Sequence, residues 1–306
     1  MRHQIPRRPA GFTLIEMLIA MVVGVLVLSA AMTVGLSTFR SLTGVQLRDG
    51  IDRNARFIGL ALQRDLTETG VDVDALPDFG TLAVWNDTIA ILRVPYNPTA
   101  APSYPLSIAN LPNGVCGATC LEITSAGAPV LAVGDLARFQ LNTSRSLVLV
   151  TGLSAVGGGY RVTFSPLTTI LNHNAVIPVA GITPANAASA FVQRLAMVAY
   201  WRQGTQLMRS VQVDTSGAIL GEVVADGVQS FEVTLIFTDG DELDFASGSD
   251  ADATNDYDLI SAIRTRAVIQ ADRADQRVSS GILLTRSYEW FVSPRNLIYE
   301  RNAIGP

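Results

Sequence analysis

Residues 11–39 are GFTLIEMLIAMVVGVLVLSAAMTVGLSTF, and this stretch decides how the chain is organised. From Met17 to Phe39 it holds 23 residues without a charge. At about 1.5 Å per residue, a helix of that length crosses a hydrocarbon core of about 30 Å. Residues 1–11 carry three arginines and no acid. This charge distribution predicts a cytoplasmic N-terminus, an inner-membrane anchor and an exported C-terminal body.

A single carboxylate, Glu16, lies at the start of this apolar stretch. A secretory signal cleaved at the small residues 29–31, or a plain signal anchor, would account for the apolar run but not for Glu16. Cleavage after Gly11 would place the new α-amino group of Phe12 four residues from Glu16, about 6 Å along a helix. That amine is largely positive at neutral pH, so it could neutralise Glu16 between neighbouring subunits.

The run Gly11-Phe12-Thr13-Leu14-Ile15-Glu16 resembles the prepilin peptidase site of the type IV pilin superfamily. The resemblance implies cleavage between Gly11 and Phe12 and N-methylation of Phe12. It also implies that the mature helix stays as a membrane anchor and later forms part of a filament core, where Glu16 meets the Phe12 amine of a neighbour.

The helical pattern continues beyond the membrane run as an apolar stripe with steps of three or four, formed by Leu47, Ile51, Ala55, Ile58, Leu62 and Leu66. No proline interrupts residues 12–70, and Asp52–Arg56 and Arg64–Glu68 are possible i,i+4 ion pairs. We therefore expect a leader over 1–11, a membrane-spanning helix over 12–39, its amphipathic continuation over 40–70, and an exported body over 71–306.

Short β-type runs separated by Gly, Pro and Asn dominate the body. The predicted strands are Thr88–Val94, Leu121–Thr124, Ser146–Thr151, Tyr160–Phe164, Leu195–Trp201, Val228–Phe237, Ile260–Ile269 and Tyr288–Val292. No βαβ rhythm is present, so the predicted class is α+β, with a long N-terminal helix packed on an antiparallel sheet.

The body also resembles the PilW-like minor pilins and the related J-type pseudopilins of type II secretion. The similar stretches are Ala55-Arg56-Phe57, Arg64-Asp65-Leu66, a strand ending in Tyr200 followed by Leu207-Met208-Arg209, a turn over 224–228, and a late strand over 260–269. The large size of the body fits the same group.

Two further features of the body suggest local chemistry. Cys116 and Cys120 flank three residues in a loop-like region, and an oxidising compartment favours a small disulfide over two free thiols. Residues 239–258 form an acidic, turn-rich stretch that we expect to be an exposed loop, and it contains Asp239, Asp241, Asp244, Asp250 and Asp252, whose oxygens could bind Ca²⁺. Their spacing does not match an EF-hand, so a solvated turn is the favoured interpretation and no metal or other cofactor is assigned.

Catalytic and nucleic-acid-binding functions have little support. The chain has a net charge of −5, which disfavours bulk binding to nucleic acid. With two Cys and two His a multi-ligand zinc site is nearly excluded, and the chain has no Gly-x-Ser-x-Gly elbow. The one histidine of the mature chain, His173, lies between two asparagines in a predicted loop. We expect a non-enzyme.

The sequence thus predicts a minor pilin that helps to initiate or cap a type IV pilus. Its expected partners are other minor and major pilins, the prepilin peptidase and the inner-membrane assembly platform. It would wait in the inner membrane with a periplasmic body and then join the pilus, at the tip on the cell surface. The alternatives are a type II secretion pseudopilin, a pilus-displayed adhesin or ligand-binding module, and a secreted enzyme whose mature chain begins near Met32.

Overall fold

The computed structural model describes residues 13–73, 76–77, 79–96, 103–107, 119–167, 169–171, 173–174, 182–183, 185–247, 253–276 and 280–298. Within these ranges a long helix, α1 (Leu14–Thr67), is followed by strands that pair in antiparallel sheets. The predicted α+β class is confirmed. By their internal contacts, residues 1–50 and 271–284 form one compact unit, and residues 51–270 and 285–306 form a second.

Helix α1 ends where a glycine is required. Gly70, three residues after Thr67, has a φ of +75°, a left-handed conformation that favours glycine. A side chain there would also meet Leu297 at 2.9 Å and Thr81 at 3.1 Å. The N–H of Gly70 donates to the carbonyl of Leu92 at 3.1 Å, so the chain leaves the helix and joins the body at once.

The strands follow in chain order: β1 (Leu82–Trp85), β2 (Thr88–Arg93), β3 (Tyr104–Pro105), β4 (Cys120–Thr124), β5 (Leu136–Leu141), β6 (Ser144–Val156), β7 (Gly159–Phe164), β8 (Thr169–Ile170), β9 (His173–Asn174), β10 (Phe191–Gln203), β11 (Gln206–Val213), β12 (Ile219–Asp226), β13 (Val228–Phe237), β14 (Glu242–Leu243), β15 (Ile260–Gln270) and β16 (Thr285–Val292). A ten-stranded sheet runs in the order β1-β2-β10-β5-β6-β7-β4, with β3 and β11 also paired to β10 and β12 paired to β11. A four-stranded sheet runs β14-β13-β15-β16, and β8 pairs with β9.

Both faces of the large sheet are buried around β6. Leu147 and Leu149 belong to one apolar cluster with Phe79, while Val148 and Val150 belong to another. Because side chains alternate between the two faces of a strand, this explains why β6 contains consecutive apolar residues instead of alternating apolar and polar ones.

The second half of α1 buries the apolar stripe that the sequence predicted. Ile51, Ala55, Ile58, Leu62 and Leu66 are each at most 2% exposed. On one side of this segment β16 approaches closely, so that a β-carbon at Gly59 would overlap the Trp290 indole. On another side, the Asn54 side-chain amide donates to the carbonyl of Asp226 on β12 at 3.4 Å.

All eight predicted strands overlap observed ones, at β2, β4, β6, β7, β10, β13, β15 and β16. Among the strands that the sequence analysis missed, β11 and β12 pair through two irregularities in their register, and most residues of β12 are exposed. Their polar side chains and broken alternation explain why the period-2 pattern did not reveal them.

Candidate functional site

Thr13 and Glu16 form a capping box at the start of α1. The backbone N–H and the hydroxyl of Thr13 donate to Glu16 Oε2 at 2.9 Å and 3.0 Å, and the N–H of Glu16 donates to Thr13 Oγ1 at 3.3 Å. These bonds satisfy N–H groups that the helix start leaves unpaired, at the end where a carboxylate is favoured. Gly11 and Phe12 lie outside the described residues, so cleavage between them and methylation of Phe12 stay predictions.

The first half of α1 presents an apolar surface that the described part of its own chain leaves uncovered. Leu14, Ile15 and Leu28 are 84%, 68% and 70% exposed. An 18-residue window of this helix has a mean hydropathy of 2.6, and none of it is buried. By length and composition the helix can cross a membrane, which fits an inner-membrane anchor that can later pack against other apolar helices.

At the other end of α1, Asp65 holds the helix to the large sheet. It is 3% exposed and accepts hydrogen bonds from the Tyr200 hydroxyl at 2.6 Å, from Arg209 Nε at 2.8 Å and from Arg64 Nε at 3.0 Å. Tyr200 lies on β10 and Arg209 on the neighbouring strand β11. One residue or more from each of the Arg64-Asp65-Leu66, Tyr200 and Leu207-Met208-Arg209 stretches, which carried the family resemblance, therefore bonds in one network around the buried carboxylate of Asp65.

This network keeps Asp65 ionised. Burial alone would raise the pKa of Asp65, but the hydrogen bonds from Arg209, Tyr200 and Arg64 outweigh burial and lower the pKa from its usual value. Burial and the hydrogen bond to the Asp65 carboxylate raise the pKa of Tyr200, so its hydroxyl remains a donor. The arrangement is a charged structural contact.

A second contact between α1 and a strand involves Asp52. Its carboxylate accepts a hydrogen bond from Arg286 Nη1 at 2.7 Å and another from the Tyr288 hydroxyl, both on β16. Hydrogen bonds from Tyr288 and Arg286 lower the pKa of Asp52. The predicted ion pairs within the helix are replaced by longer-range ones, since Glu68 likewise pairs with Arg93 and not with Arg64.

His173, which the sequence analysis placed in a loop, is 5% exposed and lies in the short strand β9. Its Nδ1 is 2.8 Å from the carbonyl oxygen of Leu171, and its Nε2 is 2.5 Å from that of Gly80. The ring also stacks on Tyr257 at 5.9 Å between centroids. The end of the acidic loop is therefore buried, contrary to the expectation that residues 239–258 are exposed throughout, because Tyr257 packs against residues 80 and 173.

The burial of His173 predicts a loss of stability in mild acid. Burial lowers the pKa of His173 more than its two carbonyl partners raise it. Below about pH 6.5 the unfolded chain then takes up a proton that the folded chain does not, so the free energy of unfolding falls as the pH falls, by at most about 1.4 kcal/mol per pH unit. Denaturant unfolding of the full chain in detergent at pH 7.5 and pH 5.5 should show this loss, and His173→Gln should reduce it. Equal pH dependence in both proteins would contradict the prediction.

The predicted disulfide and calcium residues fall partly outside the described residues. Cys120 is fully buried at the start of β4, whereas Cys116 lies outside, so their disulfide stays a prediction. Asp239, Asp241 and Asp244 are exposed, and Asp250 and Asp252 lie outside. In the part of the chain that the structure describes, no three Asp, Glu, His or Cys side chains come together as a metal-binding group.

Comparison with known protein families finds a match at the N-terminal end of the chain. Residues 6–32 match the family model of the prokaryotic N-terminal methylation motif. The chain carries a pilin-type methylation motif. This motif indicates a type IV pilin-like or pseudopilin subunit that a prepilin peptidase processes. No curated protein matches the chain.

Sequence reasoning missed the capping role of Thr13. The signal was present, since Thr-x-x-Glu before an apolar run is the pattern of a capping box. It also missed that Asp65, Tyr200 and Arg209 form one network. Residues separated by more than a hundred positions show no such link in a single sequence.

Proposed function

We propose that this chain is a minor pilin that helps to initiate or cap a type IV pilus. The uncovered apolar half of α1, with the capped Glu16 at its start, is the observation that carries the proposal. Prepilin peptidase would cut between Gly11 and Phe12, and Phe12 would be N-methylated. The subunit would then wait in the inner membrane with residues 71–306 in the periplasm.

The geometry of Glu16 suggests how assembly proceeds. Both Thr13 donors bind Oε2, and no described residue bonds to Oε1. Oε1 is thus open to the Phe12 amine of a neighbouring subunit, in surroundings where little water screens the pair. Moving the helix from lipid to protein gains little hydrophobic energy, so packing and this charge pair would select the neighbours.

The large size of the body favours a position at the end of the pilus, because many copies of a large body are harder to pack along the pilus shaft. In this proposal the partners are other minor and major pilins and the inner-membrane assembly platform, and the role is non-enzymatic. A type II secretion pseudopilin would use the same processing and charge chemistry. A chain that is absent from sheared pili, and whose deletion blocks protein secretion, would identify that alternative.

Glu16→Ala tests the proposal. We expect this variant to be cleaved normally, yet to appear in the sheared pilus fraction at about one tenth of the wild-type amount or less, because it lacks the carboxylate that would pair with the Phe12 amine of a neighbouring subunit. Glu16→Gln is the matched control, since glutamine keeps the capping box without the charge. If Glu16→Gln assembles as well as wild type, the charge pair is wrong. If neither wild type nor variant is found in pili, the pilus assignment is wrong.

A further inference from the structure

A groove of about 530 Å³ lies between α1 and β16. It is lined by Arg56, Gly59, Leu60 and Gln63 from the helix and by residues 289–292 from the strand. Leu60 and Phe291, two of its lining residues, are 67% and 60% exposed. The groove therefore offers apolar surface that the described part of the chain does not cover.

Strand β16 is also an open edge of the four-stranded sheet. At the end of β15, the N–H of Gln270 donates to the carbonyl of Gly227, just before β13. The N–H of the next residue, Ala271, donates to the carbonyl of Leu284, just before β16. The alternation of an antiparallel ladder then directs the backbone N–H and C=O groups of Ser287, Glu289 and Phe291 away from β15. No described residue bonds to these outward groups. Such an edge is a template for one more strand.

The charges beside the groove favour an acidic occupant. Within the described ranges, neither Arg56 nor the neighbouring Arg53 makes an ion pair within 4 Å. Glu289, on the opposite wall, is already paired with Arg264 at 3.4 Å. Edge-to-edge pairing of two copies would bring the same arginines of two helices together, which disfavours a homodimer.

We propose that the groove and the edge of β16 accept an extended segment of another pilin-like subunit as an added strand. Its backbone pairs with the outward groups of Glu289 and Phe291. Its apolar side chains cover Leu60 and Phe291, and a carboxylate meets Arg56. This inference rests on the proposed function in one respect only, which is that the partner is another pilin-like subunit.

The test uses the full chain in cells that assemble the filament, with a photo-cross-linking residue at position 60. We expect an adduct whose peptide, identified by mass spectrometry, belongs to another pilin-like subunit.

Variants of β16 and α1 test how the segment is held. Glu289→Pro removes one outward N–H, at an edge position that tolerates proline, and should lower the adduct yield about tenfold. Glu289→Ala keeps this N–H and should give the same adduct yield as the unsubstituted chain. Arg56→Glu, on the helix surface, should also lower the yield. Val211, 56% exposed on β11, is the control position for the cross-linker.

Several outcomes would overturn the inference. These are an adduct to residues 299–306 of the same chain, an adduct to a second copy, a yield no higher than at position 211, or a yield that neither Glu289→Pro nor Arg56→Glu changes. If the subunit is processed and found in pili while any of these occurs, the groove assignment fails and the proposed function stands. If the wild-type subunit is absent from pili, the proposed function fails, and the Glu16 experiment detects that outcome without the cross-linker.

Discussion

Replacing Asp65 with alanine is expected to lower the free energy of unfolding by about 3–5 kcal/mol, the largest stability effect of any substitution considered for this chain. The carboxylate is 3% exposed and compensates Arg209, whose side chain is only 18% exposed. Without Asp65, the guanidinium of Arg209 would keep only the exposed carboxylate of Glu222, at 3.9 Å, as an ionic partner, and the Tyr200 hydroxyl would lose its acceptor. Leaving one member of a buried ion pair uncompensated costs more than the pair itself contributes.

Denaturant unfolding of the full chain in detergent, followed by tryptophan fluorescence, measures this loss. Asp52→Ala is the matched control, because Asp52 also bonds to an arginine and a tyrosine but is partly exposed, so its removal should cost much less than that of Asp65. Since the pKa of Asp65 is lowered in the folded state, its stabilising effect is present above about pH 4 and is lost as the pH falls through the folded pKa. Equal losses for Asp65→Ala and Asp52→Ala would show that the Asp65 network is not the stronger attachment of the helix.

Gly11→Ala is expected to abolish processing. The family resemblance predicts the peptidase cut directly after this residue, which lies within the methylation motif matched at residues 6–32. The variant should therefore stay in the membrane at precursor length and be missing from pili, and mass spectrometry of the N-terminus should find Met1 and not a methylated Phe12.

Gly24→Ala is the control for this experiment. It makes the same substitution within the apolar helix, where a β-carbon would meet no atom within 4 Å. We expect it to be cleaved as in wild type. A Gly11→Ala protein with a normal mature N-terminus, or a wild-type protein that begins near Met32, would contradict the prepilin assignment.

The sequence predicted the long helix, the α+β class and eight of the strands, because these depend on patterns of apolar residues that repeat within a few positions. Leu62 and Leu66 are buried as their spacing required. Contacts between distant segments could not be derived in this way. Asp52 could pair locally with Arg56, and only the folded chain shows that Arg286 and Tyr288 are brought to it.

His173 shows the same limit for a candidate site. Between two asparagines it has the local composition of a turn, and its burial depends on Tyr257 and on the carbonyl of Gly80. The Thr13–Glu16 capping box, by contrast, spans three residues and could be derived from the sequence alone.

The attachment at Asp65 also has a mechanical consequence. Because this carboxylate lies two residues before the last residue of α1 and is bonded to two adjacent strands, tension applied along the helix passes into β10 and β11 close to the point where the helix ends. A filament that pulls on such helices would load the widest sheet of the body across several neighbouring strands, and the connecting loop after Thr67 would bear little of the strain.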